Sequence, residues 1–352
     1  MALKVGIDVS SMHAFSSSRG IGVYAKNLLD AINRYTDTKA LLIEKEGEKE
    51  DVGLIHYPYF DFFTSTLPVI KRKPTVVTIH DCIPLLFPTH YPPGIKGKVR
   101  SALQLYSLKS VSQVITVSKS SKNDIENICK IPSEKIFVVP SAPPPSFEKI
   151  TDEKRLQKSK AKYNLPDTFA LYIGGVNWNK NLLNMAQSCI LSNTPLVLIG
   201  GSFNERENLN HPELASFKLF LEGFSDNPKI SILGYVPEED LVSITNLAFC
   251  TLLPSFYEGF GFPILQSQLC GVPVITSDVS SMPEVAGKGA LFIDPNDIES
   301  IKSAILKLKN IKTREEVVKN GYENCAHYSW EQTAKLTTHV YKQTLKTSME
   351  SL

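Results

Sequence analysis

Short apolar, β-branched runs alternate with longer helix-periodic segments along this chain, and the whole alternation occurs twice. In the first half the runs fall at residues 4–9, 40–44, 53–57, 75–80, 113–117 and 135–139. In the second half they fall at 170–174, 196–200, 230–233, 247–252, 272–276 and 290–293. Near-continuous apolar runs this short suit strands of a parallel sheet, which helices cover on both faces. Between them, residues 22–33 and 96–109 carry helical periodicity. The pattern predicts an α/β fold with two doubly wound parallel-sheet domains. Length agrees, because 352 residues exceed one ordinary domain and fit two.

Composition places the junction. The stretch SAPPPSFEKI (141–150) is proline-rich and extended, and the charged TDEKRLQKSKAKY (151–163) precedes a fresh strand at Phe169. The expected division is 1–150 for the first domain, 151–328 for the second, and 329–352 for a terminal helix. That helix opens with Ser329 as N-cap and carries Ala334, Leu336, Val340 and Tyr341 on an apolar face.

Several function classes are disfavoured at once. A net charge of +2 is far from the strongly basic balance of a dedicated nucleic-acid binder. No apolar run reaches the length of a bilayer span, and the chain enters its first strand without a signal-peptide pattern. The six cysteines (Cys82, Cys129, Cys189, Cys250, Cys270 and Cys325) are scattered without a CxxC pair. They read as small core residues in a reducing cytoplasm, and no metal set is evident.

The chemistry concentrates in PSFYEGFGFPILQSQLCGVPVITSDVSSMP, residues 254–283. Pro254 stops an apolar run (247–253), Glu258 stands directly before Gly259, Phe260 and Gly261, and an apolar helix-like segment begins after Pro263. Proline suits a first helical turn, and the amides of a helix start form an anion site. A carboxylate beside such a cradle can hold sugar hydroxyls while the amides hold a diphosphate. Taken alone, a Gly-Phe-Gly turn reads more readily as a tight structural connection.

Neighbouring motifs change that balance. EGFGFP with QLCGVPVITSDVSSMPEVAGKGALFIDP resembles the donor-binding segment of the family-four retaining glycosyltransferases of GT-B fold. Also in that family's order are SRGIGVYAKNLLDAI, TIHDCIPLLFP, VITVSKSSKNDI, KIFVVPSAPPPSF, YIGGVNWNKN and YSWEQTAKLTTHVY. The nearest likeness is to bacterial mannosyltransferases of surface polysaccharide synthesis. The resemblance implies two Rossmann-like domains facing across a cleft, with the acceptor on the first and the donor on the second. The terminal helix would cross back to the first domain. It implies transfer of a hexose, of mannose or glucose type, from a GDP- or UDP-linked donor to a hydroxyl of a glycan or lipid-linked acceptor. No cofactor and no metal are expected beyond that donor.

Residue by residue, the resemblance assigns catalysis to Glu258 and His80. It assigns nucleotide-sugar binding to Gly20 and Gly22 in the first loop, with Arg19 beside them, and to Lys180 on the diphosphate. Tyr235 and Val236 lie at the nucleobase turn, and Gly259, Phe260, Gly261, Phe262 and Leu265 form the cradle. Counting on from Glu258 to the second Glu of the family's pair lands on Gln266, at the ribose. Gln can accept one hydroxyl bond and donate another without the strength that charge adds. Gly175 and Asn179 stand where the family carries an Arg. The bland readings are a packed strand-end histidine for His80, a turn cap for Asp81 and a solvated lysine for Lys180.

These departures keep an alternative in play, a catalytically weak GT-B protein that binds nucleotide sugars or glycans. A dinucleotide-dependent enzyme would need G-x-G-x-x-G after a strand, which is absent. Lys71, Arg72 and Lys73, with Lys96, Lys98, Arg100 and Lys109 interleaved among Ala102, Leu103, Leu105, Tyr106 and Leu108, suit peripheral contact with the inner face of a membrane. A helix packed on the sheet with a solvated charged edge would read the same way.

Overall fold

A computed structural model describes residues 3–10, 20–44, 51–205, 207 and 209–350. Arg19 and most of the glycine- and serine-rich loop before Gly20 lie outside the described residues. The chain forms two compact units, 1–142 with 328–352, and 143–327.

The first unit is built on β1 (Lys4–Asp8), β2 (Lys39–Ile43), β3 (Leu54–Tyr57), β4 (Thr75–Thr78), β5 (Gln113–Thr116) and β6 (Ile136–Val138). They pair in the order β2-β1-β3-β4-β5-β6, every neighbour parallel. The second is built on β7 (Ala170–Ile173), β8 (Leu196–Ile199), β9 (Ile230–Gly234), β10 (Cys250–Leu253), β11 (Val274–Ser277) and β12 (Ala290–Ile293). Their order is β12-β11-β10-β7-β8-β9, again all parallel. In the second sheet the chain starts in the middle and winds outward both ways. In the first it starts one strand from the edge, places β2 outside β1 and then crosses to β6, so the α/β expectation holds. Strands β4, β5, β8, β10 and β11 are buried along their whole length, as a sheet covered on both faces requires. Each fully buried Val, Leu or Ile contributes about 1.5–3 kcal/mol relative to exposure.

Two expectations need correction. Leu247 does not open a strand: it ends the helix Glu238–Leu247, and the strand begins at Cys250. A half-buried apolar residue packed against the core at a helix end looks like the start of a buried strand. The junction also falls earlier than residue 150. Phe147 and Ile150 pack in the core of the second unit, and the Ile150 N–H donates to Asn246 Oδ1 at 2.8 Å.

The last helix, Trp330–Glu350, belongs to the first unit. Ala334, Val340 and Tyr341 enter a core with Val5, Ile7, Tyr24 and Leu28, and the Tyr341 hydroxyl lies 2.7 Å from His56 Nδ1. Cys82, Cys189, Cys250, Cys270 and Cys325 are buried free thiols, and Cys129 is half-buried.

Candidate active site

In an open parallel sheet, ligands bind beyond the carboxyl ends of strands where the winding direction reverses. In the second unit that point lies between β7 and β10, which are neighbours in space and far apart in sequence. The loop after β7 carries Lys180, and the loop after β10 carries Glu258. The two side chains meet there: Lys180 Nζ donates to Glu258 Oε1 at 2.7 Å and to Oε2 at 2.8 Å. The Glu258 carboxylate is 8% exposed and the Lys180 side chain 21%, so the pair is shielded but reachable.

The loops are fixed from several sides. Asn179 Nδ2 donates to the Tyr257 carbonyl at 2.8 Å, and the Phe256 N–H donates to the Asn179 carbonyl at 2.8 Å. Trp178 stacks on Phe256 with ring centroids 4.9 Å apart. Asn181, in the left-handed region at φ 57°, donates to the carbonyls of Pro254 and Pro295 at 2.8 and 2.7 Å. Asn179 therefore occupies the place of an expected cation as a buried tie between the two loops.

Glu258 is held at both side chain and backbone. Ser255 Oγ donates to its Oε1 at 2.7 Å. Ser280 Oγ accepts from its N–H at 3.0 Å and donates to its carbonyl at 2.7 Å. Ser281 Oγ donates to the same carbonyl at 2.9 Å and to that of Phe260 at 3.1 Å. Ser280 adopts φ 56°, a left-handed conformation costly for a non-glycine residue. Sequence reading missed Ser255, Ser280 and Ser281. Their only signal was a Ser-Ser pair directly after a strand, inside a motif that had already been singled out.

Gly261 follows at φ 98°, where any side chain would be strained, and serves as N-cap of the helix Phe262–Leu269 with Pro263 in its first turn. Pro263 has no N–H and the Ile264 N–H donates to the Gly261 carbonyl at 3.0 Å, so the first-turn donor left for an anion is the Phe262 N–H. Glu258 and Gly259 precede this start directly. Phe260 and Leu265 are buried, Phe262 and Gln266 half-buried. Leu265 thus packs in the core and meets any ligand only through its backbone.

Gly234, at φ 68°, turns the chain after β9. Tyr235 is exposed there, and Val236 is buried in the core of the unit, which leaves the backbone of the turn and the Tyr235 ring to face a ligand. Gly20 opens the helix Gly20–Tyr35 in the first unit, and Gly22 lies in its first turn, half-buried.

His80 follows β4 in the first unit. Its Nε2 lies 3.1 Å from the Pro58 carbonyl, which can only accept, so Nε2 carries the proton and Nδ1 the lone pair. Burial pushes its pKa down to about 4, against the Pro58 hydrogen bond, so the ring is neutral near pH 7. The Tyr24 ring meets it edge-on at 4.9 Å. A neutral imidazole of this tautomer accepts a hydroxyl hydrogen bond and does not neutralise phosphate. Asp81 caps the next turn, accepting from the Ile83 N–H at 2.9 Å.

Among the described residues no group of three or more His, Cys, Asp or Glu side chains is placed to hold a metal ion. Nor is any helix long and apolar enough to cross a membrane.

The chain is similar to known glycosyltransferases. The family model described as "Glycosyl transferases group 1" matches residues 153–324, and that described as "Glycosyltransferase Family 4" matches 18–143. O-antigen chain mannosyltransferase B of Escherichia coli is 33% identical over 280 residues, covering 77% of this chain and 71% of that protein. Sucrose-phosphate synthase from Thermosynechococcus elongatus superposes with a TM-score of 0.75 at 17% identity, over 98% of this chain and all of that one. Anabaena HepE, solved in complex with UDP and glucose, superposes with a TM-score of 0.69 at 14% identity over the full length of both.

Proposed function

The chain belongs to the group 1 glycosyltransferases of GT-B fold, and from that membership we propose that it transfers a mannose-type hexose from a GDP- or UDP-linked donor to a hydroxyl of a glycan or lipid-linked acceptor, with retention at the anomeric carbon. The mannosyltransferase relative supports the sugar, and the neighbour solved with UDP and glucose supports a nucleotide-sugar donor. The cytoplasm, where the chain would meet such donors, is part of the same proposal.

The observation that carries this reading is the Lys180–Glu258 pair at the β7/β10 switch point, directly before a helix start opened by Gly261. In this reading the Phe262 N–H at the helix start and Lys180 Nζ hold the diphosphate, and Glu258 accepts from hydroxyls of the transferring sugar. Gln266 meets the ribose, and the turn at Gly234, Tyr235 and Val236 meets the base. Lys180 has three N–H donors, so it can turn toward phosphate while keeping one bond to Glu258. In the first unit, His80 Nδ1 is free in this tautomer to accept from a hydroxyl of the acceptor.

Retention follows if the acceptor oxygen attacks from the face that the phosphate leaves. The bond from the anomeric carbon to phosphate oxygen breaks, the bond to acceptor oxygen forms, and the acceptor proton passes to the departing phosphate. No enzyme nucleophile is required. Glu258 suits that role poorly, since Lys180 donates to both its oxygens and Ser255 to one. A preorganised amide and a lysine aimed at the growing negative charge supply electrostatic stabilisation without a metal.

A panel of GDP- and UDP-linked hexoses tests the proposal by transfer and by protection against thermal unfolding. A donor at a hundred times its dissociation constant should add about 2.7 kcal/mol of stability. Protection by a GDP- or UDP-hexose with release of the nucleoside diphosphate is the expected result. No protection by any member of the panel would contradict it.

A further inference from the structure

Two strand ends lie side by side next to the Lys180–Glu258 pair on the carboxyl edge of the second sheet. β8 ends at Ile199 and passes through Gly200 into a single helical turn, Gly201–Asn204. β9 ends at Gly234, and the Gly200 N–H donates to the Gly234 carbonyl at 2.8 Å. The strand order β10-β7-β8-β9 sets the gap between β8 and β9 two interstrand steps from the gap between β10 and β7. Two steps are about 10 Å, within reach of a nucleoside diphosphate whose phosphates meet Lys180.

Asn204 closes the turn after β8 with the polar end of its side chain facing Gly234. A Cβ at residue 234 would overlap Asn204 Oδ1 and would stand 2.6 Å from Nδ2 and 2.7 Å from Cγ. Glycine is therefore required at 234 twice over, by φ 68° and by the room that the carboxamide takes. Asn204 is exposed, and among the described residues its side chain makes no hydrogen bond. Asparagines elsewhere in this unit tie loops together: Asn179 and Asn181 donate to carbonyls of the loop after β10, and Asn246 to the Glu148 carbonyl. Asn204 ties nothing. Its carboxamide keeps an N–H donor beside a C=O acceptor, both turned to the place where Tyr235, 60% exposed, offers a ring for stacking.

We propose that Asn204 reads the base of the donor nucleotide, Nδ2 donating to a base carbonyl and Oδ1 accepting from the adjoining ring N–H. Uracil and guanine share that edge, a ring N–H next to a carbonyl. Backbone groups of a turn offer the same bonds whatever the sequence, so discrimination among bases falls to this side chain. The assignment rests on the donor-site reading above and names the residue that recognises the base within it.

Calorimetric titration of GDP and UDP into the full chain tests it with the wild type, N204A and N204D. N204A should weaken the preferred nucleoside diphosphate by about tenfold, the worth of two neutral hydrogen bonds, and leave the melting temperature unchanged. N204D exchanges the donor for a second acceptor. Guanine presents two neighbouring donors to a carboxylate, its ring N–H and its amino group, whereas uracil presents one N–H between two carbonyls. The ratio of GDP to UDP affinity should therefore rise by about tenfold or more in N204D. A wild type that binds GDP or UDP while N204A binds it equally well would overturn the assignment and leave the donor site standing. An unaltered GDP-to-UDP ratio in N204D would do the same. A wild type that binds neither would remove the donor-site reading and this assignment together.

Discussion

The Ser280 hydroxyl grips both backbone groups of Glu258, accepting from its N–H at 3.0 Å and donating to its carbonyl at 2.7 Å. It does so from a left-handed conformation, φ 56°, that a non-glycine residue enters only when the surroundings impose it. Backbone strain is thus placed where it fixes the direction of a single carboxylate.

Ser280→Gly should separate strain from positioning. Glycine accepts the same φ without cost, so the melting temperature should hold or rise slightly. The two bonds to Glu258 are lost, and turnover should fall by roughly tenfold to a hundredfold, as misplacement at a reacting centre does. Measuring kcat beside the melting temperature checks this. Unchanged kcat would remove Ser280 from the positioning of Glu258.

Gln266 is half-buried in the helix Phe262–Leu269. If it meets the ribose, Gln266→Glu should keep or tighten nucleoside diphosphate binding, because a charged acceptor strengthens a hydroxyl hydrogen bond. Gln266→Ala should weaken it by about 1 kcal/mol, near fivefold. Calorimetric titration with GDP and UDP reads both variants. Identical affinity in Gln266→Ala would place the ribose elsewhere.

Activity should survive excess EDTA, since Lys180 and the helix-start amide meet the diphosphate charge in this account. An assay with and without chelator decides it. Complete loss with EDTA, restored by Mg²⁺ or Mn²⁺, would assign part of that charge to a cation.

Acid should unfold the first unit through its histidines. Burial pushes the His56 pKa from 6.5 to about 3, the charge on His80 acting in the same direction, and burial pushes His80 to about 4. Both folded values are depressed, so their stability is fully present above pH 6.5. Below it the unfolded chain binds protons that the folded chain refuses, and stability drains away toward pH 4. His56 spans Tyr341 on the last helix and Thr78 on β4, at 2.7 and 2.8 Å. His56→Gln should therefore lower stability at neutral pH by about 1–3 kcal/mol and flatten the acid slope. A wild-type melting temperature that stays level from pH 6.5 to 4 would contradict this.

Much of the architecture could be read before any coordinates, because buried parallel strands leave runs such as 113–117 and 272–276 that few other structures explain. Errors came where burial and periodicity part company. Leu247 is apolar because a helix end packs inward there, which composition cannot tell from a strand. Lys71 looked like a surface cation, yet burial pushes its pKa down to about 8 as it caps a helix end. Within the site, Glu258 was legible from the glycines and the proline that mark its loop, and Lys180 through the family resemblance of YIGGVNWNKN. Asn179, Ser280 and Ser281 were not: each acts through a loop distant in sequence, and nothing local records the partner.

The most direct test compares Glu258→Gln and Lys180→Met for nucleoside diphosphate affinity and for sugar transfer. Glu258→Gln keeps the shape of the side chain while removing the charge that Lys180 pairs with at 2.7 Å. The account predicts that Glu258→Gln binds GDP or UDP about as well as the wild type while transfer falls by roughly a hundredfold or more. Lys180→Met should weaken the nucleoside diphosphate itself by about tenfold or more, with transfer falling in step. Near-wild-type transfer by Glu258→Gln, or undiminished nucleoside diphosphate affinity in Lys180→Met, would contradict it.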